Sequence, residues 1–276
     1  MTRSVVVGVD GSASATEALA WAAADAQRRE LPLRIVHVCE PGRLGEEEAK
    51  YCEGTLAAAA ERARASTPGL EVTTGMPSGN VVDALIGESR PADSVVLGSR
   101  GLGGFARLML GSVGRGVAGH ACGPVVIVRG GSRPSHGRVV VGDDGSDGSS
   151  DAVAYAVEQA RAWGVPLHVV YSWQMPVVPP YAAAYNVRLA SACEAELRTA
   201  ADRVARWRER HPDVEIVGDQ RSGHPAEALI QAGETADLVV VGSRGLGGFA
   251  SALLGSVSHA VLHHMTCPVA VVRPRQ

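Results

Sequence analysis

Short continuous apolar runs alternate along the chain with longer stretches in which apolar residues recur every three to four positions. The β-branched runs predict strands buried on both faces, and the 3.6-residue period predicts helices packed against them. In the first half, strands are expected over 4–9, 33–38, 70–74, 94–98 and 124–128. Helices are expected between them over 14–28, 46–65 and 79–89, with another starting at about Ser112. The second half reads the same way, with strands over 138–142, 167–172, 214–218, 238–242 and 268–272 and helices over 151–163, 190–210 and 226–233. Strands joined by right-handed helical crossovers form a parallel sheet covered on both faces. The expected class is α/β: two tandem doubly wound domains, each a five-stranded parallel sheet of order 3-2-1-4-5 flanked by helices.

The two halves are copies. Val5-Val6-Val7-Gly8-Val9-Asp10-Gly11-Ser12 returns as Val139-Val140-Val141-Gly142-Asp143-Asp144-Gly145-Ser146. Residues 98–129 return as 242–273 with 19 identities in 32 positions, and the only phenylalanines, Phe105 and Phe249, fall at equivalent places. The ten-residue difference between the two offsets is absorbed by a longer segment around 173–180 in the second copy. The domains are expected at 1–130 and 138–276, with the Gly/Ser/Pro-rich stretch 131–137 as linker.

In a doubly wound sheet, ligands bind outside the carboxyl ends of the strands, where strand order reverses. Asp10 follows the first strand and Gly98 ends the fourth; in the order 3-2-1-4-5 these strands are neighbours, so both repeated motifs meet in one crevice. The longer motif reads Gly98-x2-Gly101-x9-Gly111-Ser112, and again Gly242-x2-Gly245-x9-Gly255-Ser256. Glycines let backbone N–H groups approach an anion, and a helix opening at Ser112 or Ser256 offers free donors and its positive dipole end. The serine hydroxyl can cap that helix or donate to a phosphate. No Asp or Glu occurs from 94 to 142, where Arg100, Arg107, Arg115, Arg129, Arg133 and Arg138 stand. None occurs from 238 to 276 either, where Arg244, Arg273 and Arg275 stand. Tight turns alone would account for the glycines but not for the missing acids. Asp10 and Asp144 serve either as turn or capping residues, with Ser12 and Ser146 as the better caps, or as acceptors for a nucleobase amino group or a ribose hydroxyl.

Composition narrows the chemistry. A net charge of −3 and only 11 aromatic residues among 276 argue against a general nucleic-acid or membrane-surface binder. Lys50 is the only lysine and stands outside any GK[ST] sequence, so a Walker A loop is excluded. Gly101-x-Gly103-x-x-Ala106 imitates a dinucleotide fingerprint, but it follows the fourth strand and lacks the acid about 20 residues on, which rules out NAD. Five cysteines without a C-x-x-C pair are expected as reduced thiols in a cytoplasmic protein, with a redox-sensing role for Cys39 or Cys52 as an alternative that no motif supports. The run at 5–9 is too short for a signal segment, and no later apolar stretch approaches the ~18 residues of a membrane span. His120 and His264 are expected near helix ends as structural residues. His259 and His263 share a helical face, but the first copy has Arg115 and Gly119 there, so no shared metal site is expected.

These motifs resemble those of the universal stress protein family in its tandem, ATP-binding branch. The nucleotide signature G-x2-G-x9-G-[ST] is matched without gaps in both copies, together with the first-strand aspartate. The resemblance implies that ATP is the ligand, with any magnesium carried on its phosphates. It implies that Asp10 and Asp144 contact adenine, with the main chain of Val38 and Ser172. Gly8 and Gly142, with Gly98 and Gly242, would border the ribose. Gly101, Gly111 and Ser112, and in copy two Gly245, Gly255 and Ser256, would hold the phosphates. Ser172 departs from the apolar residue usual at its strand end. Family members pair through their last strands, which implies an intrachain pseudo-dimer and leaves room for a homodimer. With no carboxylate in the phosphate-binding segments, the expected role is regulatory nucleotide binding with little or no turnover; the alternative is a slow ATP-hydrolysing or adenylyl-transferring enzyme.

Overall fold

The computed structural model describes residues 3–39, 46–102, 110–129, 135–173, 183–246 and 254–274. Phe105, Phe249, Arg107, Arg133, Arg275 and linker residues 131–134 lie outside them. The first half runs β1 (Val5–Gly8), α1 (Ala13–Arg28), β2 (Leu33–Val36), α2 (Glu46–Ser66), β3 (Val72–Gly75), α3 (Val81–Ser89), β4 (Ser94–Gly98), α4 (Ser112–His120) and β5 (Val125–Val128). The second half runs β6 (Val139–Gly142), α5 (Asp147–Trp163), β7 (Leu167–Trp173), α6 (Ala183–Arg210), β8 (Ile216–Ser222), α7 (Pro225–Gly233), β9 (Leu238–Gly242), α8 (Ser256–His264) and β10 (Val269–Val272).

The strands form one ten-stranded sheet of order β3-β2-β1-β4-β5-β10-β9-β6-β7-β8. Within each half all pairings are parallel, in the expected 3-2-1-4-5 order. The halves join where β5 and β10 run antiparallel, with Val126 opposite Ala270. Successive strand residues point to opposite faces, so the valine runs feed two cores. Val5, Val7, Val139 and Val141 pack beneath α1 and α5; Val6 and Val140 pack beneath the α3, α4, α7 and α8 layer.

The same pseudo-twofold sets the side-chain contacts across the seam. Arg129, just past β5, donates to the last carbonyls of α8 and its cap, those of Leu262, His263 and Met265, the last two at 3.2 and 3.0 Å. Arg273, just past β10, donates to Gly119 O near the end of α4. Each guanidinium thus meets carbonyls left without intrahelical partners at the negative end of the other half's helix. On the opposite face, Asp25 of α1 accepts from Trp163 Nε1 at 3.3 Å and Gln159 Nε2 at 3.5 Å, both on α5.

Several features depart from the sequence-based expectations; α6 starts at Ala183 rather than 190. Helix α5 starts at Asp147 rather than 151, because Ser146 Oγ accepts from Ser149 N at 3.2 Å and caps a polar first turn that carries no apolar period. Strand β8 extends to Ser222 through Asp219-Gln220-Arg221, held by pairing with β7 up to Trp173 opposite Ser222. At this sheet edge, polar side chains remain outside the core while the backbone completes the ladder. The expectation of five reduced thiols is also corrected. Cys39 and Cys52 form a disulfide with Cα atoms 6.1 Å apart, because the exit of β2 folds against α2. Cys122 and Cys193 remain thiols.

Candidate functional site

Each first strand ends in a glycine, followed by a turn that carries the repeated aspartate. Gly11 and Gly145 adopt φ of +84° and +82° in these turns, a region that favours glycine. Ser12 Oγ accepts from Ala15 N at 3.1 Å, so Ser12, like Ser146, caps the following helix. The aspartates do a different job. Asp10 Oδ1 accepts from Ser12 N at 2.9 Å, and Oδ2 accepts from Leu102 N at 3.0 Å. Asp144 Oδ1 accepts from Ser146 N at 3.0 Å and Ser146 Oγ at 2.6 Å, while Oδ2 accepts from Leu246 N at 3.0 Å. Each carboxylate ties its turn to the glycine loop behind the neighbouring strand. A carboxylate has about four lone-pair positions, so Asp10, with two of these bonds, keeps acceptor capacity, whereas Asp144 is nearly saturated. Burial pushes the Asp144 carboxyl up, but hydrogen bonds from Ser146, the Leu246 N–H and Ser149 outweigh it and hold the group below the usual carboxylate range.

The repeated glycines fall into two kinds. At Gly98 a Cβ would lie 2.7 Å from Ser14 O, and at Gly242 it would lie 2.8 Å from Gly148 O. At Gly101 it would sit 2.7 Å from Asp10 Oδ2, and at Gly245 it would overlap Asp144 Oδ2. At Gly8 it would sit 2.7 Å from Leu97 Cδ2, and at Gly142 3.0 Å from Leu229 Cδ1. Packing explains these six. Gly111 and Gly255 differ, because the nearest described atoms to a Cβ there are 3.6 and 3.5 Å away, ordinary contact distances. Their φ values of −69° and −67° suit any residue. Both are the N-caps of their helices, and neither helix has a side-chain cap. Ser112 and Ser256 are therefore first-turn residues, not caps, and both are exposed.

In the second half these parts enclose a cavity of about 310 Å³. Its lining includes all seven residues expected there: Gly142, Asp144, Ser172, Gly242, Gly245, Gly255 and Ser256. Ser172 Oγ is committed to Gly223 O at 2.6 Å. In the first half, Gly8, Asp10, Gly98, Gly101, Gly111 and Ser112 occupy the matching positions around β1, β4 and α4. Val38 lies two residues past β2, with its side chain packed on the core beneath α3 and α4.

Sequence reasoning passed over Asp143 and Arg203, and named Arg244 only among the arginines of an acid-free segment. Arg244 lines the cavity; its repetition as Arg100 was a readable signal. Asp143 is buried and accepts from Arg203 Nε at 2.7 Å, Gly145 N at 2.9 Å and Ser149 Oγ at 3.0 Å. No sequence signal connects Arg203 of α6 to that turn. His120 and His264 end α4 and α8 as expected, and the His259 and His263 rings lie 4.7 Å apart. Among the described residues no cluster of three or more His, Cys, Asp or Glu is arranged to hold a metal. Among them, too, no helix is long and apolar enough to cross a membrane.

Fold and site together define a tandem doubly wound α/β protein with a glycine motif at the switch point of each half and a cavity there in the second. The model of the universal stress protein family matches residues 1–129 and 136–273, and the chain belongs to that family. A universal stress protein of Mycobacterium tuberculosis is 37% identical, covering 98% of this chain and 96% of the relative. A crystal structure of a universal stress protein from Archaeoglobus fulgidus covers 100% of both chains at 23% identity with a TM-score of 0.73, the same fold. A universal stress protein solved in complex with cAMP is 30% identical, covering 46% of this chain and 97% of its own, with a TM-score of 0.39.

Proposed function

We propose that this protein binds ATP at one site in each half and acts as a regulatory nucleotide-binding module with little or no turnover. The carrying observation is the pair Gly111 and Gly255. Neither backbone conformation nor packing against described atoms calls for glycine there, yet each is the N-cap of a helix without a side-chain cap, and Gly255 lines the cavity. A ligand drawn close to the backbone supplies the missing reason.

In this reading the phosphates lie against the first N–H groups of α8, with the Ser256 hydroxyl and the Arg244 guanidinium as further donors. Charge-assisted hydrogen bonds contribute about 1.5–3 kcal/mol each. Three or four, after the losses of association, support affinity near the micromolar level, about −8 kcal/mol. The nucleoside end lies between Gly142, Gly242 and the Asp144 carboxylate. A cavity of about 310 Å³ matches the lower end of small-molecule sites, roughly 300–1,000 Å³. ATP would bring magnesium on its own phosphates. Slow turnover follows from the lining. Its carboxylates, Asp143 and Asp144, already accept protein hydrogen bonds, and Ser256 and Arg244 are poor bases for activating water. ATP is then a ligand that shifts conformational populations.

Heat-treating the purified protein and chromatographing the supernatant tests the reading. Adenine nucleotide is expected. No release, together with no binding at millimolar ATP, would overturn it. Multiple turnovers per minute of added ATP would instead favour the enzyme alternative.

A further inference from the structure

The two crevices differ where the second strand of each half meets the following helix. Cys39 stands one residue past Val38 and is bonded to Cys52 of α2, 13 residues on. Its backbone is pinned as well: Cys39 N donates to Pro77 O at 3.0 Å, and Cys39 O accepts from Gly79 N at 3.3 Å. Tyr51, beside Cys52, sets its ring edge-on to His37 with centroids 6.3 Å apart. The Tyr51 hydroxyl lies 3.3 Å from where a Cβ on Gly11 would be, in the turn that carries Asp10. His37 Nδ1 lies 2.7 Å from Val9 O in the same turn. The bond thus fastens α2 to the exit of β2 and brings Tyr51 against the Asp10 turn.

The second half keeps the backbone pattern without the bond. Gly223 N donates to Trp173 O at 2.9 Å, as Gly79 does to Cys39. By sheet register Trp173 stands where Cys39 does, and Tyr171 stands where His37 does. Tyr171 Oη donates to Glu196 of α6 at 3.3 Å, a contact that does not depend on redox state.

We propose that Cys39 and Cys52 form a reversible thiol–disulfide clasp that makes the first nucleotide site, and not the second, sensitive to redox conditions. The inference rests on the nucleotide reading above for its effect on affinity, and on the disulfide alone for the clasp. The oxidant is a low-molecular-weight disulfide. Cys39 is half-buried, whereas Cys52 is only 3% exposed, so the Cys39 thiolate attacks first. It forms a mixed disulfide and releases one small thiolate. The Cys52 thiolate then displaces the second small thiolate and closes the bond. Two cysteine thiols lose two protons and two electrons; one small disulfide becomes two small thiols. The closed clasp holds the Val38 main chain and the Asp10 turn in the bound arrangement, which lowers the ordering loss on binding.

Full-length protein treated with oxidised glutathione or with dithiothreitol, then alkylated and mapped by mass spectrometry, should show a Cys39–Cys52 peptide pair only in the oxidised sample. Hydrogen exchange over residues 46–66 should be slower when oxidised. In a Gly255→Val background, where only the first site reports, the Kd for ATP should rise about threefold or more on reduction. Adding Cys39→Ser should give the weaker Kd under both conditions. In a Gly111→Val background the Kd should not change. Alkylation of both cysteines in the oxidised sample, or equal exchange in the two samples, overturns the clasp. A mapped crosslink with unchanged first-site affinity overturns the redox sensitivity of the site. If ATP fails to bind either background in either state, the nucleotide reading falls, while mapping and exchange still decide the clasp.

Discussion

Replacing Gly255 with alanine separates ligand approach from folding. At φ −67° and ψ 159° alanine is unstrained. Its methyl group would sit 3.5 Å from Arg244 Cα and Ser243 O, within ordinary contact. Removing glycine from the unfolded ensemble stabilises by about 0.4–1 kcal/mol. Alanine is a poorer N-cap than glycine by about 0.5–1 kcal/mol. The two nearly cancel, so the melting temperature without nucleotide should move by no more than about 2 °C. Binding has no such compensation. A methyl group at the helix N-terminus occupies the space through which a phosphate reaches the first N–H groups. Losing one charge-assisted hydrogen bond of about 1.5–3 kcal/mol raises Kd about 10- to 100-fold, at about 1.4 kcal/mol per decade. Calorimetric titration with Mg-ATP in a Gly111→Val background, beside thermal denaturation of both proteins, measures both quantities. A Kd within twofold of the parent would refute the placement of the phosphates. A large fall in melting temperature would refute the claim that folding does not need this glycine.

Two further outcomes follow from contacts away from the Gly255 N-cap. Arg129→Ala strips the α8 end of its donors and leaves buried carbonyls unpartnered. Part of this loss is offset because the guanidinium is no longer buried, leaving a destabilisation of about 2–4 kcal/mol in urea unfolding; a change below ~0.5 kcal/mol would show the seam does not need it. Asp144, whose folded-state carboxyl is held below its ordinary value, contributes stability that is complete above the unfolded pKa of about 3.9 and lost as pH falls through the folded value. Asp144→Asn should therefore flatten the decline in stability below about pH 4, and identical slopes for the two proteins would contradict the tie to Leu246.

The paired motifs were legible because each is local. Val5-Val6-Val7-Gly8 can only be a strand buried on both sides, and the glycine spacing repeats without a gap. The role of Asp10 and Asp144 was half legible. Their position after the strand marked a crevice residue, but the bond from Leu246 N to Asp144 Oδ2 spans 102 residues and exists only because β6 and β9 are neighbours. The glycines looked alike in sequence, and only the packing around each separates the six where a Cβ would press on protein atoms from the two where it would make ordinary contacts.

The chain by itself determined the duplication, the alternation of strand and helix, and the families of residues that gather at the carboxyl ends of the strands. These follow from periodicity and turn chemistry within a few residues. The tertiary structure decided that the halves share one sheet through β5 and β10, that Arg129 and Arg273 exchange partners across that seam, and that Cys39 meets Cys52 in one half while Trp173 occupies the position of Cys39 in the other. Hydrophobic period reports how deeply a residue is buried; which distant residue lies beside it depends on strand order and register.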